Sequence, residues 1–185
     1  VGWDDDPDQA VDLARRFELE GADALTFHPR VAPDRRVRPP KWEYIGLVKQ
    51  AVGIPVFGNG DVFDQQDCER MLALTGCDGI ALGRLAIAQP WVFAAWNEGF
   101  RALADIHRQT ALRLLVLLEH HYEEKAALRR FFRFAYYFAS NFTYGHAFYT
   151  KVHNSANLRA AASEIERFFK TPPQLVSRLN HNYLT

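Results

Sequence analysis

Over its first hundred or so residues the chain alternates short apolar runs with stretches whose apolar positions recur every three to four residues. Ala10, Leu13, Ala14 and Phe17 mark one helix face, opened by Asp4-Asp5-Asp6-Pro7 and stopped at Gly21. Residues 22–27 then read as a strand ending in His28-Pro29-Arg30. Trp42, Ile45, Leu47 and Val48 predict a helix over 41–52. Ile54-Pro55-Val56-Phe57 predicts a strand that ends in Gly58-Asn59-Gly60-Asp61, followed by a helix over 64–75. Gly79-Ile80-Ala81-Leu82 predicts another strand, ending in Gly83-Arg84, and Val1-Gly2-Trp3 reads as the last residues of an earlier one. This alternation predicts α/β architecture with a parallel sheet whose crossovers bring all the strand tips to one edge.

Beyond about residue 105 no strand pattern continues. Residues 86–100 give a turn and a short aromatic-rich helix, with Trp91, Phe93 and Trp96 as packing anchors. Ile106, Leu114, Leu115, Leu117 and Leu118 mark one amphipathic helix; Leu128, Phe131, Phe132, Ala135, Phe138 and Phe142 mark a second. A third covers 158–169 and stops at Pro172-Pro173. The predicted organisation is α/β followed by all-α, with an α/β part at 1–102 and a helical bundle at 103–185. About three strands and a stub are too few to close an eight-stranded barrel. A parallel sheet also needs cover on both faces, so the first part is expected to be a piece of a longer protein.

The strand tips carry the candidate chemistry. Gly58, Gly60 and Gly83 have no Cβ, so positive φ could bring backbone N–H groups close to an anion. Arg84 adds a guanidinium suited to phosphate, and Asn59 and Asp61 offer groups for a sugar chain or a ring edge. An ordinary turn in which Asn-Gly-Asp caps the next helix would leave the same trace. His28 and Arg30 are expected at the same edge. The proline-rich loop 31–40 would hold Arg35, Arg36 and Arg38 over the same mouth, facing either phosphate or solvent.

Charge changes the picture more than composition does. The 185 residues, 48% hydrophobic, allow one sizeable core and a small appendage, and the formal net charge is zero. Residues 1–100 hold 10 basic against 16 acidic side chains and residues 101–185 hold 12 against 6, so the halves differ as −6 and +6. Six of the seven histidines also lie in the second half. This favours an anionic partner for the tail, with Arg129, Arg130, Arg133, Lys151 and Arg159 as a basic face, or else solvated basic helices. Cys68 and Cys77 lack metal-ligand spacing and imply no disulfide framework, which fits a reducing cytoplasm. No metal site is expected, nor is a signal peptide or an apolar run long enough for a membrane.

Residues 54–93, IPVFGNGDVFDQQDCERMLALTGCDGIALGRLAIAQPWVF, resemble the tRNA-dihydrouridine synthases, as do GADALTFHPR and PPKWEYIGLVKQAVGIP upstream. The likeness runs from Val1 to about Phe93 and thins to an aromatic-basic pattern around 129–149. It implies a TIM barrel holding FMN at its mouth, here about strands six to eight, followed by a helical tRNA-binding domain. The activity implied is reduction of uridine to 5,6-dihydrouridine in tRNA, an oxidoreductase step on a carbon–carbon bond with NADPH reducing the flavin. By the same resemblance His28, Arg30, Asn59, Gly60, Asp61, Gly83 and Arg84 would contact the cofactor. Arg35, Arg36, Arg38, Arg129, Arg130, Arg133 and Lys151 would contact RNA. The family's proton-donating cysteine lies in an Asn-x-Gly-Cys-Pro motif that does not occur here, so neither Cys68 nor Cys77 inherits its role. The chain is therefore expected to be a C-terminal part of such an enzyme, inactive alone, cytoplasmic, and monomeric when full length. Another FMN-binding barrel of the dihydroorotate or dihydropyrimidine dehydrogenase sort, or a non-catalytic RNA-binding module, are the alternatives.

Overall fold

A computed structural model describes residues 2, 4–34 and 38–184. The chain forms two compact units, Val1–Gly83 and Arg84–Thr185. In the first, α1 (Pro7–Leu19), β1 (Leu25–Phe27), α2 (Glu43–Ala51), β2 (Val56–Asn59), α3 (Gln65–Thr75) and β3 (Gly79–Ala81) follow one another in the predicted alternation. The strands form a parallel sheet in the order β1-β2-β3. Local chemistry sets the helix ends. The Asp6 carboxylate accepts from the Asp8 and Gln9 amides at 3.0 and 3.2 Å, with Pro7 pre-set for the first turn. Asp64 caps α3 through the Asp67 amide at 2.8 Å, and left-handed Gly76 closes it. Ile45, Val48, Val56 and Met71 are fully buried between sheet and helices. Of the predicted strand stub, Gly2 makes an isolated parallel bridge to Val31, while Val1 and Trp3 lie outside the described residues.

The second unit contains α4 (Arg84–Ala88), α5 (Val92–Glu98), α6 (Ala104–His121), α7 (Glu124–Phe138), α8 (Gly145–His153) and α9 (Leu158–Phe169). Its core is aromatic: Phe131, Phe138, Phe142 and Phe148 are fully buried, and Ala111, Ala127, Ala135 and Ala161 let the helices approach. Two differences from the sequence reading stand out. The second predicted helix stops at Phe138, and a 3₁₀ turn over Ala139–Asn141 leads to α8, which apolar spacing did not mark. Phe142 sits four residues after Phe138 and so mimics a helical repeat. Its backbone is extended (φ −115°, ψ 140°) and pairs with Leu175, so its ring enters the core from a turn.

The division between units also falls earlier than the 102/103 step in the pattern. Helix α4 packs on α7. Within the second unit Asn141 ties the turn after α7 to the end of α4, donating to the Ala88 carbonyl at 2.8 Å and accepting from Gln89 Nε2 at 2.9 Å. Trp91 is the anchor the sequence suggested, set edge-on to His107 at 4.5 Å. Phe93, by contrast, is about half exposed.

Candidate functional site

The register of the sheet places Phe27 beside Gly58 and Asn59 beside Ala81, so the residues that follow each strand share one edge. Asn59 fastens the three tips together. Its backbone carbonyl faces His28 Nδ1 at 3.2 Å, and its side-chain amide donates to the Ala81 carbonyl at 2.6 Å. A carbonyl only accepts, so Nδ1 of a neutral His28 carries the proton and Nε2 is left as an acceptor. Partial desolvation lowers the His28 pKa below its ordinary 6.5; the Asn59 carbonyl opposes that shift and Arg30 adds to it. The imidazole is thus neutral at pH 7 and, being solvent-exposed, reachable by a ligand.

Arg30 and Asp61 form the second part of this edge. Arg30 Nη2 donates to Asp61 Oδ2 at 2.7 Å, with the two side chains 10% and 24% exposed. Between them, Gly60 has φ +124° and Asp61 has φ +51°. A Cβ on Gly60 would lie 2.8 Å from His28 Nδ1 and 2.9 Å from Pro40 Cγ, so a side chain there would displace the imidazole. Trp42 Nε1 donates to the Gly60 carbonyl at 2.9 Å, and Arg70 lies over the Trp42 ring at 5.1 Å. Trp42 is the residue sequence reasoning missed, because it read there only as an apolar helix position. Its place just after a proline-rich loop is the one local hint of a longer reach.

Three glycines were expected to take positive φ, and only Gly60 does. Gly58 is needed for close packing instead: a Cβ there would come within 2.6 Å of Met71 Sδ. Around Gly83 a Cβ would meet nothing within 4 Å, and its φ is ordinary. Arg84, the next residue, opens α4, and its Nη1 donates to the Leu184 carbonyl in the second unit. Arg38 is exposed and pairs with buried Asp34 at 3.3 Å, while Arg35 and Arg36 lie outside the described residues.

The basic face of the second unit resolves into two places. Arg129 and Arg133 border a cup with Phe132, Tyr136, Tyr149 and His153. Arg130 points to the other side of α7, over the Tyr122 ring at 4.2 Å, and borders a larger cleft of about 850 Å³ with an apolar floor. Arg133 lines both. Lys151 is exposed on α8 and lines neither, since it lies two residues from both Tyr149 and His153, off their shared face. Among the described residues no helix is long and apolar enough to cross a membrane.

Comparison with known proteins bears on both regions. The family model described as "Dihydrouridine synthase (Dus)" matches residues 1–179. A probable tRNA-dihydrouridine synthase of Mycobacterium leprae is 42% identical over 101 residues, which is 54% of this chain and 26% of that protein. The tRNA-dihydrouridine synthase B of Pseudomonas syringae pv. tomato is 38% identical over 93 residues, 50% of this chain and 28% of that protein. A probable tRNA-dihydrouridine synthase of Rickettsia conorii is 30% identical over 123 residues, 66% of this chain and 37% of that protein. The matched stretches thus cover between 26% and 37% of the length of these curated relatives.

Proposed function

This chain belongs to the dihydrouridine synthase family, and from that premise we propose that it supplies flavin-holding and RNA-holding residues to an enzyme that reduces uridine to 5,6-dihydrouridine in tRNA. The three parallel strands are assigned to a TIM barrel, about its strands six to eight, and the helical unit to the tRNA-binding domain. The cofactor proposed is FMN, with NADPH as its reductant and the cytoplasm as the place of action.

The residues present fit such a group. The edge offers an exposed neutral imidazole, an amide locked between two strands, a carboxylate–guanidinium pair, and a backbone turn at Gly60 that a side chain would fill. When bound, a flavin supplies hydride chemistry that no side chain here can provide. The protein's part is to bind and orient. His28 would offer Nε2 as an acceptor to the cofactor, and Asn59 keeps the strand tips in register. Arg30 and Asp61 hold each other, so the loop after β2 stays fixed when the ligand leaves. Gly83 leaves room for the phosphate end, and Arg84, next in sequence, is assigned its charge. The exposed cations Arg129, Arg130, Arg133, Lys151 and Arg38, together with Arg35 and Arg36, are assigned to the RNA backbone. No proton donor to the uracil ring is assigned: Cys77 is buried, with its thiol donating to the Gly79 carbonyl at 3.3 Å, and burial pushes the Cys68 thiol up.

The observation that carries this reading is the bonded set of His28, Asn59, Arg30 and Asp61 on one sheet edge. It is tested by titrating FMN into the protein and into Asn59→Ala, following flavin fluorescence, with tRNA binding measured in parallel at rising salt. Saturable FMN binding that weakens at least tenfold in the variant is expected, together with a tRNA affinity that falls steeply with salt. FMN binding equal in both proteins would sink the assignment of the strand tips.

A further inference from the structure

Helix α7 presents two faces with different chemistry. The larger cleft is floored by Leu114, Leu117, Leu118 and Phe134, and its cation Arg130 already rests on Tyr122. The opposite face is a small cup of about 310 Å³, at the low end of the ~300–1,000 Å³ range of ligand pockets. Here Arg129, Phe132, Arg133 and Tyr136 recur at i, i+3, i+4 and i+7 on α7, while Tyr149 and His153 stand one turn apart on α8. Among the described residues lining the cup there is no carboxylate.

The rings are held in place before any ligand arrives. Phe132 and His153 lie 4.8 Å apart between centroids, Tyr149 and His153 5.2 Å, and Tyr136 meets Tyr149 edge to face at 5.4 Å. Tyr136 is fixed further by its hydroxyl, which donates to the Asn182 carbonyl at 3.1 Å, and by the Tyr183 ring at 5.2 Å. Aromatic walls under a cationic rim match the two parts of a nucleotide: a flat base, and phosphates on either side of it. We propose that this cup takes one unpaired nucleobase of RNA, with Arg129 and Arg133 holding the flanking phosphates. The proposal rests on the tRNA reading above and adds a base-contacting element to it. Ring stacking accepts any base, so the cup recognises an unstacked nucleotide and not a particular letter. The larger cleft also carries Tyr122, Phe134 and Tyr137, but they stand among aliphatic side chains and Arg130 already covers the Tyr122 ring, which favours the smaller site for this role.

The test uses the full chain and a single-stranded RNA hexamer carrying one central 2-aminopurine, whose fluorescence is quenched on stacking. A second hexamer has an abasic site at that position, and tRNA serves as a control ligand. Binding should quench the fluorescence, and the abasic strand should bind roughly tenfold or more weakly. Tyr149→Leu and, separately, exposed His153→Ala should bring the base-bearing strand down toward the abasic affinity while leaving abasic binding unchanged. Equal affinity for the two strands overturns the cup without depending on whether a variant folds. Salt-dependent tRNA binding with no base dependence defeats the cup alone; no binding of tRNA or either hexamer defeats the RNA reading as well.

Discussion

The two units of this chain are stabilised by different means, and the difference follows their chemistry. The helical unit closes on itself around four fully buried phenylalanines, with His107 boxed by Trp91, Phe138 and Phe142. Among the described residues of the strand unit, the large side chains buried completely are aliphatic or Met71, and an open trough of about 700 Å³ lies beside β1, lined by Leu13, Phe17, Leu25, Phe27 and Val48. Its strand tips are tied by polar links between residues far apart in sequence. On the function proposed above, aromatic packing would hold the RNA-binding surface, whereas a hydrogen-bonded edge would hold the cofactor site. Changes to the first should cost stability; changes to the second should cost ligand binding.

The strongest way to break this contrast is in the helical core. Phe138→Ala should destabilise the protein by about 3–5 kcal/mol, read by urea unfolding, and should leave FMN binding in the native state unchanged. Next comes the edge itself. Asp61→Asn removes a charged partner from a mostly buried guanidinium and should cost about 1.5–3 kcal/mol, with FMN affinity falling in the same variant. Gly60→Ala forces a side chain onto positive φ and against His28, so a loss of more than about 1 kcal/mol is expected, accompanied by weaker flavin binding. A small stability change with intact flavin binding would show that the turn at Gly60 is ordinary.

A pH experiment sharpens the comparison. Burial lowers the pKa of both His107 and His28 below the ordinary 6.5. Between the lowered native value and 6.5 the unfolded chain binds more protons, so stability is full above about pH 6.5 and falls as the pH drops below it. His107 is 3% exposed while His28 opens to solvent, so the acid loss belongs mainly to the helical unit. His107→Asn, whose Nδ2 can take over donation to the Leu103 carbonyl from the imidazole Nδ1, should flatten the slope in a series of thermal melts. The smallest effect is expected at exposed Arg38, whose removal from Asp34 should cost less than about 1 kcal/mol.

The alternation of strands and helices was legible because each strand is bounded by a turn residue and each helix keeps one apolar face. The gathering of His28, Arg30, Asn59 and Asp61 on one edge was legible for the same reason: parallel strands put their tips together. What those residues do to one another was not. Arg30 and Asp61 are 31 residues apart, and Trp42 reaches the Gly60 carbonyl from 18 away, distances at which no local pattern carries information. Helix α8 escaped notice because it is short and rich in aromatic and β-branched residues, and Phe142 imitated a helical repeat from a turn. The split of Arg129 from Arg130 follows from the 100° step of a helix, but which side carries the rings required α8 to be in place.

The central claim is that the strand tips hold a flavin and the α7–α8 face holds RNA, as separable functions of one chain. The direct measurement is a pair of titrations, FMN and tRNA, on Asn59→Ala and on an Arg129→Glu, Arg133→Glu double variant, each shown folded by circular dichroism. Loss of FMN binding alone in the first and of tRNA binding alone in the second is the predicted result. Loss of neither ligand in its assigned variant, or loss of both ligands in each, would contradict it.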